Sequence, residues 1–220
     1  METLVKRSDS AKRGQTRTRR TREEARAHII DRTTELIRTR SYAQLSVGEI
    51  MEAAGIGRTL FYRYFDDLPD LLARASGEAI EALYNAEVEL EKTYRDDPAR
   101  AIRFAIEAAV DVYSSHGPLL RALSEAATVN LRIATAQRTF YARFDALVAR
   151  VLGDLSKSAR EPLADIEETA RALNLLNTSY LLDAFGHKPR VTREVAVQTL
   201  TEMWLRVSGA GSSAGAGEAD

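Results

Sequence analysis

The chain has no cysteine, which excludes disulfides, thiolate chemistry and cysteine-ligated zinc in one step. Its only histidines, His28, His116 and His187, stand too far apart to indicate a metal site. There is no GxSxG elbow, no glycine-rich phosphate loop and no HExxH pair, so nothing points to an enzyme. No uninterrupted apolar run approaches the ~20 residues of a membrane span. The opening stretch METLVKRSDSAKRG is basic but has no apolar segment behind it, unlike a secretory signal. No stretch has the alternation of a strand. The expectation is a cytoplasmic, all-α protein with no cofactor, no metal and no membrane association.

What is present is enough chain for two functional units. With 220 residues, 45% hydrophobic and 29% charged, a small domain of about 50 residues leaves ample material for a second core. The net charge of −1 conceals a segregation. Residues 1–22 hold eight basic side chains, among them Arg17, Arg19, Arg20 and Arg22, against Glu2 and Asp9. That arm carries +6, so the rest of the chain carries −7. A basic, disordered arm at 1–22 suits a polyanion, because each cation near a phosphate releases counterions.

Residues 46–65, SVGEIMEAAGIGRTLFYRYF, carry the most specific signal. Ser46 followed by Glu49 fits a capping box, which starts a helix. Val47, Ile50, Met51 and Ala54 follow at i, i+3, i+4 and i+7 as one apolar stripe. Gly55 ends that helix, since glycine enters the left-handed region without a side-chain clash. The run from Arg58 to Phe65 restarts a helix rich in polar and aromatic residues. Arg58, Thr59, Arg63 and Tyr64 are candidates for groove contacts, and Tyr62 and Ser46 for phosphate. Phe61 and Phe65 complete the small domain's apolar face. A second capping box, Thr21 with Glu24, places another helix at about 22–40 with Ile29, Ile30, Leu36 and Ile37 buried.

The helix, the Ala54-Gly55-Ile56 turn and Gly57-Arg58-Thr59-Leu60-Phe61-Tyr62-Arg63-Tyr64-Phe65 resemble the helix-turn-helix domain of the TetR family of regulators. Ala172-Leu173-Asn174-Leu175-Leu176-Asn177, Phe185-Gly186 and Trp204 are similar to the ligand-binding half of a mycobacterial repressor of that family. The resemblance runs from about residue 23 to 207 and is strongest over 46–65. It implies a helix-turn-helix domain at 23–68, a helical ligand-binding and dimerisation domain at 69–207, and a tail at 208–220 too poor in apolar bulk to order. It further implies a homodimer, since two recognition elements about one DNA turn, ~34 Å, or a larger repeat apart read a palindromic operator in double-stranded DNA. Two departures weaken the expected backbone grip: Leu60 stands where many relatives have threonine, and Leu68 where they have lysine. Asp66, Asp67 and Asp70 make the neighbourhood acidic, so the arginines of the arm carry more of the binding.

Behind the small domain, apolar spacing and breakers give about nine helices in all. One long helix runs from Asp67 to about Thr93 and ties the domains together. The next spans about 98–116 and ends at His116-Gly117-Pro118; others follow at about 119–127, 129–156, 163–185 and 192–207. The segment 172–185 is apolar almost all round, as a helix buried on two sides must be. Asn174 and Asn177 share one of its faces, where an unpaired amide would cost roughly 1–3 kcal/mol. They either pair internally or, as the resemblance implies, orient a bound molecule. Tyr113, Phe144, Tyr180, Leu182 and Trp204 either line the same cavity or fill the core. Such walls favour a lipophilic small-molecule effector with one or two hydrogen-bonding groups. The resemblance implies that this effector releases a repressor from DNA. A carrier of lipophilic molecules would keep the cavity without the arm and the Arg58–Tyr64 segment, and a regulator without small-molecule control would keep only those.

Overall fold

The computed structural model describes residues 23–157 and 162–210, and every regular element among them is helical. The arm at 1–22, with its four candidate arginines and the Thr21 cap, lies outside the described residues, as does the tail from 211.

Residues 23–37 form α1, two turns of which bury Ile29 and Ile37 completely. The helix stops three residues short of the expected end at 40, turning through Arg38 and Thr39. Ser46 then caps α2 (Val47–Ala53): its hydroxyl accepts from the Glu49 amide at 3.2 Å. The Glu49 carboxylate reaches back to the Ser46 backbone, and it also accepts from the Ser46 hydroxyl at 2.8 Å and from Arg40 at 2.9 Å. Gly55 has φ 65, the left-handed turn its sequence position predicts. Arg58–Arg63 follows as a 3-10 helix rather than an α-helix, closed by bonds such as Leu60 N–H to Gly57 O at 2.9 Å. Ile29, Ile50, Met51, Phe61, Phe65 and Leu71 close the small core.

The long helix expected from Asp67 to Thr93 is interrupted at one residue. Asp67 caps α3 (Leu68–Ala75), Ser76 breaks it, and α4 (Gly77–Thr93) continues. The bonding pitch carries through, from Ser76 N–H to Leu72 O at 2.9 Å and from Ile80 N–H to Ser76 O at 3.0 Å. A serine–glycine pair suits such an interruption, both residues being poor helix formers. The opposite correction applies to α5 (Pro98–Ala127), which runs straight through Gly117-Pro118. Gly117 serves close packing there, not termination: a Cβ at that position would overlap the Phe185 carbonyl oxygen. The packed neighbour holds the helix together although Pro118 has no N–H to donate.

Asn130 caps α6 (Leu131–Ser156), Asp165 caps α7 (Ile166–Phe185) and Thr192 caps α8 (Arg193–Ser208). α5 is the hub, packed by α3, α4, α6, α7 and α8. The main core gathers Ile106, Val110, Leu152, Leu181, Leu200 and Trp204 around it. A smaller cluster, Ile37, Leu45, Leu72, Leu119, Ala122 and Ala126, joins the small domain to the large one. Leu71 and Leu72, adjacent in α3, serve the two sides of that junction.

Candidate DNA-binding face and effector cavity

The 3-10 helix sorts its residues by side. Phe61 and, just beyond it, Phe65 are buried in the small core, whereas Arg58, Thr59, Tyr62 and Arg63 face outward and Tyr64 is half-buried. Tyr62 is 58% exposed and stands edge-on to Phe61, with ring centroids 5.4 Å apart. Ser46, at the start of α2, is exposed as well. Outward arginines, hydroxyls and a phenol on one short element form a surface able to read base edges and hold phosphates. The acidic neighbourhood is partly neutralised from within. Asp67 accepts from Arg132 of α6 at 2.9 Å, and Asp70 accepts from Arg74 at 2.9 Å. Asp67 and Asp70 are also structural, Asp67 capping α3 and Asp70 accepting from the Asp66 amide.

In the large domain, three apolar cavities share walls, with Leu83 lining all three. The first, about 40 Å³, is walled by Leu90, Ile102, Ile106, Phe144, Asn177 and Trp204 among others. The second, about 50 Å³, shares Leu83, Ala109, Phe144 and Asn177 with it and adds Tyr113, Asn174 and Thr178. The third and largest, about 200 Å³, shares Leu83, Tyr113, Phe140 and Tyr141 with the second and adds Leu182. Ala73 of α3 and Ile80 of α4 also line it, one on each side of the Ser76 break. Tyr113, Phe144, Asn174, Asn177, Leu182 and Trp204 are thus brought to one series of cavities. Tyr180 is not; it packs half-buried against the main core and lines none of the three.

Several polar groups of this interior pair with one another. The Asn174 amide donates to Asp145 at 2.7 Å, and the Trp204 indole donates to Asn177 Oδ1 at 3.0 Å. Burial pushes the Tyr113 phenol upward and does the same to Tyr141, opposed in both by a hydrogen bond with Thr178. Both phenols are neutral across the physiological range and act as hydrogen-bonding groups only.

One side chain connects the two domains. Arg121 of α5 is buried; its Nε donates to Gly186 O at the end of α7 at 2.8 Å. Its Nη2 donates to Ile37 O at 2.8 Å and Arg40 O at 2.9 Å, at the end of α1. Its Nη1 donates to Glu125, whose other oxygen accepts from the Tyr42 amide at 2.5 Å.

The family model of bacterial regulatory proteins of the tetR family matches residues 29–75, and that of the C-terminal domain of the transcriptional regulator EthR matches residues 102–208. The chain belongs to the TetR family of transcriptional regulators. It is 29% identical over 204 residues to the HTH-type transcriptional regulator EthR of Mycolicibacterium smegmatis, covering 87% of this chain and 92% of that one. Against EthR of Mycobacterium tuberculosis it is 28% identical over 211 residues, 93% of this chain and 96% of the other. Among solved structures, the TetR family regulator PfmR of Thermus thermophilus superposes with a TM-score of 0.65 at 19% identity, over 81% of this chain and 97% of PfmR. The last shows the fold alone.

Residue-level reasoning had singled out neither Arg121, Asp145 nor Glu87 of this TetR-family chain. A signal existed for two of them. Arg121 is a lone charge in Leu119-Leu120-Arg121-Ala122, and Glu87 stands four residues from Leu83 on a stripe completed by Ala86 and Leu90. Charged residues on a buried face demand partners, but those partners lie far away in sequence. Outside the core, Leu175 on α7 and Val195 and Met203 on α8 are exposed, so the apolar circumference of α7 is covered on one side only. Among the described residues no helix is long and apolar enough to cross a membrane.

Proposed function

We propose that this TetR-family chain is a repressor that binds a palindromic operator as a homodimer and is released by a lipophilic small molecule held in the adjoining cavities. Arg58, Thr59, Tyr62, Arg63 and Tyr64, with Ser46 and the arginines of the arm, form the DNA contacts. The exposed apolar side chains of α7 and α8 pair with their copies, which sets the distance between the two recognition elements. The cavity walls, leucine, alanine and aromatic rings with a few amides and hydroxyls, suit an apolar body carrying one or two hydrogen-bonding groups.

The observation that carries this reading is what lines the cavity of about 200 Å³. Ala73 and Ile80 flank the Ser76–Gly77 interruption in the helix that carries the small domain. A ligand that fills the cavity presses on both sides of that interruption and changes the angle between α3 and α4. The ligand binds better to the form whose recognition elements are wrongly spaced for the operator, so it shifts the population away from DNA.

Selection of the purified protein against a random duplex library tests the DNA half. A palindrome should be enriched, with a steep salt dependence that flattens when residues 1–22 are removed. Titration of the protein–operator complex with graded alkyl esters and amides tests the other half. Enrichment of a site that no lipophilic compound releases would leave a regulator without effector control, and sequence-independent binding would favour a carrier.

A further inference from the structure

Glu87 is a carboxylate in the wall of an apolar cavity, and half of it is unused. It sits on α4 between Leu83 and Leu90, and its side chain is 5% exposed. Oε1 accepts from Arg143 Nε at 3.1 Å, whereas Oε2 is buried and has no hydrogen-bond partner. Arg143 does not reach round to the second oxygen: its guanidinium is held over the Tyr84 ring, 3.9 Å from the centroid, with half its surface in solvent. Of the other charges in the neighbourhood, Glu91 is one turn further on and is paired with Arg150 of α6 at 2.7 Å. Burial raises the Glu87 carboxyl and Arg143 opposes the shift, as expected of a desolvated carboxylate with one cationic neighbour. The same cavity is otherwise walled by Leu83, Ala86, Leu90 and Ile102, with Asn177 already accepting from the Trp204 indole. The chemistry that complements a buried oxygen acceptor is an N–H or O–H.

Resting on the effector reading above, we propose that the Trp204 end of the cavity is a subsite for the polar head of the effector, and that Glu87 Oε2 selects a head with an uncharged hydrogen-bond donor. A secondary amide, or another N–H or O–H on a lipophilic body, satisfies the orphaned oxygen. Arg143 already balances the charge of Glu87, so an ammonium head would leave a net positive charge in an apolar enclosure. An ester or tertiary amide offers only acceptors and leaves Oε2 as it stands, opposite a second electronegative atom. The effector class is thereby narrowed to donor-bearing molecules.

The test is a matched pair of probes, N-octylbenzamide and its N-methyl derivative, titrated into the full-length protein alone and into the protein–operator complex. Trp204, the single tryptophan, lines the subsite and reports binding by its fluorescence. The secondary amide should bind roughly tenfold more tightly than the N-methyl compound. Glu87→Leu should remove the difference. Glu87→Gln, which keeps the size and the acceptor for Arg143 but turns an N–H₂ toward the cavity, should reverse it in favour of the tertiary amide. Thermal melts of both variants establish that they fold. Equal affinities in the unaltered protein, or a preference that survives Glu87→Leu, would overturn the assignment while leaving the cavity reading intact. Tighter binding of octylammonium than of either amide would overturn the uncharged-donor assignment. If no probe perturbs Trp204 or releases operator, the cavity reading itself fails and this proposal falls with it.

Discussion

Arg121 donates to the carbonyl of Gly186 at 2.8 Å while the same guanidinium donates to Ile37 and Arg40 at 2.8 and 2.9 Å, so one buried cation ends two helices of different domains. The carbonyls at a helix C-terminus lack intrahelical donors and carry the negative end of the helix dipole, so a shared arginine satisfies both ends at once. Its planar fork of donors is what permits four simultaneous acceptors, the three carbonyls and Glu125.

Arg121→Leu keeps the apolar stem and removes every one of those bonds. It should lower stability by about 3 kcal/mol, because charged hydrogen bonds are lost and buried carbonyls are left unpaired. Arg121→Lys should fall in between, since an ammonium cannot span both helix ends. Urea unfolding measures this, and hydrogen exchange over residues 23–37 shows whether α1 loosens before the rest. An unchanged midpoint for Arg121→Leu would mean that the junction is held by Leu72 and Leu119 alone.

On the DNA face, Arg58→Ala and Arg63→Ala should each cost ~1–3 kcal/mol on the best operator and less on scrambled duplex, if each reads a base. Tyr62→Ala should weaken all sequences alike, since a phosphate contact carries no sequence information. Competition binding at two salt concentrations separates the cases. Equal losses on operator and scrambled DNA for all three would reassign the arginines to the backbone.

The two helix-interior glycines Gly117 and Gly153 should respond in opposite directions to alanine. In Gly117→Ala the new Cβ overlaps the Phe185 carbonyl, a backbone group that cannot swing aside, and α5 must move away from α7 at a cost of roughly 1–3 kcal/mol. In Gly153→Ala the Cβ meets only Ile166 Cδ1 at 3.9 Å, so the helix gains about 0.5–1 kcal/mol. Thermal melts of both variants under one condition decide it. A neutral Gly117→Ala would show that the helices are not in the close approach described.

That contrast also explains what could be read from sequence. Local chemistry was legible: Ser46 and Gly55 bound a helix by rules that involve only their neighbours, and Phe61 and Phe65 fell inside by spacing alone. Gly117-Pro118 was misread because glycine marks both a helix end and a close contact, and the contacting residue, Phe185, is remote in the chain. The reverse happened at Ser76-Gly77, where an unbroken apolar stripe hid a one-residue interruption. Arg121 finds one acceptor 84 positions away and Asn174 finds Asp145 at a separation of 29, distances over which periodicity carries no information. Asn174 and Asn177, paired with Asp145 and Trp204, met the alternative of internal partners while still lining the cavities.

The exposed apolar side of α7 gives the last test. Leu175 is 53% exposed in the single chain and lies on the opposite side of α7 from the buried Leu173 and Leu181. If two copies pair through α7 and α8, Leu175→Arg places two like charges near the two-fold axis of an isologous interface, where each is desolvated and faces its own copy. Sedimentation should then show a monomer at concentrations where the unaltered chain is a dimer. Operator affinity should collapse because two linked recognition elements become two independent ones. Binding of an amide probe next to Trp204 should persist, since Leu175 lines none of the three cavities. A Leu175→Arg protein that still sediments as a dimer would move the interface elsewhere, and with it the lever that sets the spacing of the two DNA-binding domains.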